Sequence, residues 1–77
     1  MQAFPNPFEN EVYVKFVEAG NYNIELYDYT GRLINSAVLN ATEGEIVNIP
    51  VEGQSGIYFI KVKGEAGLLN VMKVIKK

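Results

Sequence analysis

The sequence predicts an all-β fold, a small antiparallel immunoglobulin-like β-sandwich of about six or seven strands. Apolar residues recur with a period of two in short runs, the spacing of strands with one buried face. Gly, Asn and Pro fall between the runs at intervals of about 12 residues, where hairpins would turn. No segment carries helical periodicity long enough to form a helix.

Val12, Val14 and Phe16 alternate with Tyr13 and Lys15, and Ala19-Gly20-Asn21 supplies a turn after them. Tyr22, Ile24 and Leu26 then alternate with Asn23, Glu25 and Tyr27, which assigns the first set to the core and the second mostly to solvent. Further strands are expected over Leu33 to Leu39, Glu45 to Val51, Ile57 to Lys63 and Leu68 to Ile75. Gly44, Gly53, Gly56, Gly64 and Gly67 occupy the gaps, where positive φ costs little without a Cβ. Sheet edges in so short a chain must be charged, bulged or used, and an open edge allows a weak edge-strand dimer. The final hairpin stands out. A terminus is ordinarily the least ordered part of a domain, yet these residues alternate like a packed strand closed by lysines.

Composition narrows the class. The 77 residues form one small domain, expected as an extended lead-in over 1–8 and a sandwich over 9–77. There is no cysteine, so neither a disulfide nor a thiolate metal site staples it, and the 48 % hydrophobic share is that of a folded domain. A net charge of −2 gives no footprint for nucleic acid, and the positive charge present is bunched at Lys61, Lys63, Lys73, Lys76 and Lys77. No apolar run approaches the ~20 residues of a membrane span, and no signal peptide opens the chain. Met1-Gln2-Ala3-Phe4-Pro5 reads as the start of a domain excised from a longer parent that carries any export signal upstream.

Catalysis is not expected. Without histidine, triad chemistry and the usual zinc sites are excluded, and Asp28 is the sole aspartate among eight scattered glutamates. Glu43 and Glu45 form the nearest approach to a carboxylate pair and read as solvated surface charge. Gly64-Glu65-Ala66-Gly67 has neither the length nor the following helix of a phosphate loop. No cofactor or metal is expected.

Local chemistry is concentrated in a few segments. In Phe4-Pro5-Asn6-Pro7-Phe8 two prolines enforce an extended course and leave two rings to cap the first sheet. Leu26-Tyr27-Asp28-Tyr29-Thr30-Gly31-Arg32-Leu33 is a hairpin in which Asp28 accepts backbone N–H bonds and Gly31 takes the left-handed position; a ligand loop using Asp28 and Arg32 is the sharper alternative. Gly56-Ile57-Tyr58 opens a strand with a bend and a half-buried ring whose hydroxyl stays wet. Asn40-Ala41-Thr42 matches a glycosylation sequon, a pattern common by chance.

Taken in order, Pro5-Asn6-Pro7-Phe8, Leu26-Tyr27-Asp28 through Gly31, Gly56-Ile57-Tyr58-Phe59-Ile60-Lys61-Val62 and Lys73-Val74-Ile75-Lys76 resemble the type A C-terminal sorting domain of the type IX secretion system of Bacteroidota. The resemblance covers nearly the whole chain. It implies an address label for a cargo domain on its N-terminal side, which crosses the periplasm and then the outer membrane through the type IX translocon. A sortase-like peptidase typically removes such a label, leaving the cargo at the cell surface or outside the cell. By resemblance the recognition residues are Pro5, Asn6, Pro7, Asp28, Gly31, Gly56, Tyr58, Lys73 and Lys76.

A physical route to recognition is β-augmentation along an open edge at Val71 to Ile75, with lysines fixing the register against acidic groups. Two other classes fit the pattern: an adhesive or spacer sandwich module, and a carbohydrate-binding sandwich that stacks sugars on Tyr13, Tyr27 or Tyr29.

Overall fold

The alternating segments fold as strands β1 (Gln2–Phe4), β2 (Glu11–Lys15), β3 (Gly20–Asp28), β4 (Leu33–Ala41), β5 (Ile46–Pro50), β6 (Gly56–Gly64) and β7 (Leu69–Lys76), with one 3₁₀ turn at Glu65–Gly67. The structure is a computed structural model that describes residues 1–77, the side chain of Ala66 excepted. A three-stranded sheet, β1-β2-β5, packs on a four-stranded sheet, β4-β3-β6-β7, and every neighbouring pair is antiparallel.

Alternation places the core. Val12 and Val14 of β2 and Ile49 of β5 face Tyr22, Ile24 and Leu26 of β3, Tyr58, Ile60 and Val62 of β6 and Val74 of β7. Phe8, Phe16 and Val51, which lie outside the strands, fill the two ends. Each buried tyrosine donates its hydroxyl to a carbonyl four residues upstream, Tyr22 to Glu18 at 2.8 Å and Tyr58 to Gln54 at 2.7 Å. The apolar ring is thereby buried without stranding a polar atom. The Tyr58 hydroxyl is thus committed to the backbone, where the sequence alone left it to water.

Several local expectations shift. Gln2–Phe4 of the lead-in is a strand, paired to β2 with Phe4 opposite Tyr13. β3 already begins at Gly20, and Leu68 closes the turn before β7, with Gly64 N–H donating to its carbonyl at 2.8 Å. Gly64 has φ −103°, so it is not there for left-handed backbone. A Cβ at that position would meet Tyr22 Cε1 at 3.0 Å and Leu68 Cδ2 at 3.2 Å, and glycine is needed for close approach.

Candidate functional site

The antiparallel register sets Asp28 beside Tyr58 and Tyr58 beside Val74. The end of β3, the start of β6 and the end of β7 therefore meet at one pole of the sandwich. The lead-in arrives there too, with the Phe8 and Tyr58 ring centroids 6.5 Å apart. Motif segments scattered along the chain thus share one end of the fold.

The lead-in is fastened to the rim of β7. Ile75 N–H donates to Asn6 Oδ1 at 2.8 Å, and Asn6 Nδ2 donates to the Lys73 carbonyl at 3.3 Å. Phe8 continues the contact as a short parallel bridge, its N–H donating to the Ile75 carbonyl and its carbonyl accepting from Lys77 N–H, both at 2.8 Å. Lys76 Nζ donates to the Glu9 carbonyl. Pro5 and Pro7 flank this contact, both on cis peptide bonds and both exposed. Phe8 itself is 1 % exposed and anchors the segment in the core. The open edge expected over Val71 to Ile75 is therefore occupied from Lys73 onward, and the free rim retreats toward Leu69 and Val71.

The turn after β3 forms as expected. Asp28 Oδ1 accepts from Thr30 N–H at 2.9 Å, from Arg32 N–H at 3.1 Å and from the Thr30 hydroxyl. Its Oδ2 meets Arg32 Nε at 3.2 Å. Gly31 closes the turn at φ +88°, a region L side chains rarely adopt, and its N–H donates to the Asp28 carbonyl at 3.0 Å. The Thr30 hydroxyl holds the Asp28 carboxyl below its ordinary value, helped by the backbone N–H groups of Arg32 and Thr30 and by the Arg32 charge. Asp28 is engaged in the turn, while Arg32 meets it through Nε alone and leaves most of its side chain exposed.

Gly56 opens β6 at φ +143°, letting the chain bend into the strand from the loop that supplies Gln54 to Tyr58. An open cleft of about 540 Å³ lies between this loop and the Asp28 turn, lined by Asp28, Tyr29, Arg32, Gln54, Ile57 and Tyr58. The structure brings Asn6, Phe8, Tyr58 and Lys76 together by contact and sets Asp28, Gly31 and Gly56 beside them, while Lys73 lies on the outer face opposite Phe59. Glu9 and Gln54 complete the pole by accepting from Lys76 and Tyr58, and the sequence alone did not point to them. The one local signal was Tyr58 four residues after Gln54.

The tyrosines considered for sugar stacking are mostly engaged. Tyr13 lies against Phe4, centroids 5.9 Å apart, and donates to Glu11, while Tyr27 donates to Glu25 at 3.0 Å. Tyr29 stands open at 76 % exposure. Among the described residues no group of His, Cys, Asp or Glu is arranged to hold a metal.

The profile of a family described as the secretion system C-terminal sorting domain matches residues 2–77. A solved structure of similar fold is that of dimeric latent PorU from Porphyromonas gingivalis, with 25 % identity and a TM-score of 0.68. The match takes in 97 % of this chain, which spans only 9 % of that one. No curated protein matches. The profile runs through the lead-in, the Asp28 turn and the final hairpin that the fold gathers at one pole, and the chain belongs to the family of C-terminal sorting domains of the type IX secretion system.

Proposed function

We propose that the type IX translocon reads this domain at its motif pole, as the address of a cargo joined on the N-terminal side, and that a sortase-like peptidase then removes it. The route runs through the periplasm and across the outer membrane, to the cell surface or the medium. A sorting-signal domain is recognised and is not itself a catalyst. Residues 1–77 act as one unit in this reading, with the lead-in an integral part of the pole.

The observation that carries the proposal is the pair of Asn6 side-chain bonds to Lys73 and Ile75, which joins the first and last motif segments into one surface. Asn6, Asp28, Gly31, Gly56, Tyr58 and Lys76 build the pole, and Pro5, Pro7 and Lys73 are exposed on it, as are Asn6 and Gly31. The experiment fuses residues 1–77 to a periplasmic reporter in a type IX-competent host. Wild type is expected to deliver the reporter to the surface. Lys73→Glu, and Pro5→Ala with Pro7→Ala, are expected to retain it in the periplasm while the purified domain keeps its far-UV circular dichroism. Unimpaired delivery by both folded variants removes the pole as the surface that is read.

A further inference from the structure

Of the sheet edges, one is undefended. β1 is three residues long, β5 ends in Pro50, and the rim of β7 is occupied by Asn6 and Phe8 from Lys73 onward and carries lysines at Lys73 and Lys76. These are ordinary ways of blunting an edge. β4 has none of them. It is nine residues long and holds no charge and no proline. Because the opposing sheet has one strand fewer, nothing packs over the outer half of β4: residues 33 to 38 are all exposed, with Val38 at 79 %.

Its parity is readable. Ser36 N–H is satisfied by the neighbouring Asn35 Oδ1 at 2.9 Å and so points away from β3, onto the open rim. Residues of one parity in an antiparallel strand share a rim, which places the backbone groups of Val38 and Asn40 beside it. The irregularity in pairing with β3 lies only at the start of the strand, between Leu26 and Tyr27 on the β3 side.

We propose that two copies of this chain pair antiparallel through β4, about a two-fold axis at Val38, to form one continuous sheet of four strands from each copy. The strand fits itself. With the axis at Val38, the rim residues meet as Val38 with Val38 and Ser36 with Asn40, and no pair opposes like charges; the ladder stops short of Ile34, which lies in the irregular start of the strand. Each exposed valine covers its counterpart on the outer face, and rim N–H and C=O groups exchange ladder hydrogen bonds, Ser36 N–H giving up Asn35 Oδ1 for the carbonyl of the facing copy. The inference stands apart from the sorting role and concerns a different edge from the motif pole.

Sedimentation velocity of the 77-residue chain, from about 10 μM to about 1 mM, spans the range so small an interface requires. The wild-type mass is expected to rise toward twice that of the monomer. Val38→Lys and Val38→Glu, each folded by far-UV circular dichroism, are expected to weaken association at least tenfold, because like charges then face one another across the axis. An equal mixture of the two is expected to restore it, since a lysine then opposes a glutamate. Val71→Lys, on the far edge, is expected to leave it unchanged. Wild type monomeric at every concentration, Val38→Lys associating as wild type, a mixture no better than its components, or loss of association in Val71→Lys would each overturn the proposal; the first leaves β4 to a strand of another protein.

Discussion

Ile75 donates its backbone N–H to the side chain of Asn6 at 2.8 Å across 69 positions of sequence, so the last strand is held by the segment that links β1 to β2. Chain ends ordinarily fray for want of partners. Here Asn6 supplies the partner on the rim opposite β6, and Phe8 extends the contact by one more pair. The order of the final hairpin is a property of both termini together.

Removing that side chain should loosen the rim before it threatens the fold. Asn6→Ala deletes the acceptor for Ile75 N–H and the donor to the Lys73 carbonyl, both at an exposed site where water takes their place, at a cost of about 1 kcal/mol. Urea unfolding is expected to show that loss, and amide exchange at Ile75 to quicken about tenfold or more. Asn6→Asp keeps the acceptor and should protect Ile75 better than alanine does. Unchanged exchange in Asn6→Ala would show that Phe8 alone holds the strand.

Phe8 is the anchor whose loss the domain can least tolerate. The side chain is wholly buried against Tyr58, and truncating such a ring costs about 3–5 kcal/mol. A domain of this size has about 4–12 kcal/mol in total. Phe8→Ala is therefore expected to melt near room temperature by circular dichroism, whereas Phe8→Leu, which keeps most of the volume, should lower stability by no more than about 1–2 kcal/mol. A Phe8→Ala protein as stable as Phe8→Leu would mean that the ring contributes little to the core.

What the sequence made legible was whatever repeats locally. Tyr22, Ile24 and Leu26 are buried as their alternation predicts, with Asn23, Glu25 and Tyr27 less so, and the Asp28 turn follows from its own residue types. Partnership across the chain left no such trace. Gln2–Phe4 is too short to alternate and is a strand only because β2 lies beside it. Asn6 reads only as part of an extended lead-in until Ile75 is seen beside it. β4 alternates well enough to suggest one buried face, yet its first six residues are exposed because the opposing sheet ends before reaching it. Strand pattern is written in neighbours; the number of strands in the facing layer is not.

Gly31 and Gly64 are required for opposite reasons, and one pair of substitutions separates them. Gly31 sits at φ +88° with nothing near its missing Cβ, so Gly31→Ala should cost about 1 kcal/mol in backbone strain and Gly31→Asn distinctly less. Gly64 has ordinary backbone but lies against Tyr22, so Gly64→Ala should cost about 1–3 kcal/mol through overpacking, and Gly64→Asn no less than that. Denaturation midpoints in urea check both. Asparagine rescuing position 64 better than alanine would contradict the packing account.

Acid should open the Asp28 turn. The carboxylate accepts from Thr30 and Arg32, and these bonds hold its folded value below the ordinary 3.8. A group depressed on folding binds fewer protons in the native state than in the unfolded one, so its contribution is complete above 3.8 and is lost as pH falls through the lower folded value. Glu11 is also depressed, by the Tyr13 hydroxyl and then by Asn48, so total acid sensitivity does not isolate Asp28. The comparison that isolates it is wild type against Asp28→Asn, unfolded in urea at about pH 6 and about pH 2.5, above and below the ordinary value of 3.8. Asparagine keeps an acceptor oxygen for the turn but has no proton to gain, so the stability gap between the two proteins should narrow on acidification and stay constant between about pH 5 and pH 8. A gap of equal size at both acid and neutral pH would mean that the charge on Asp28 does not stabilise the turn.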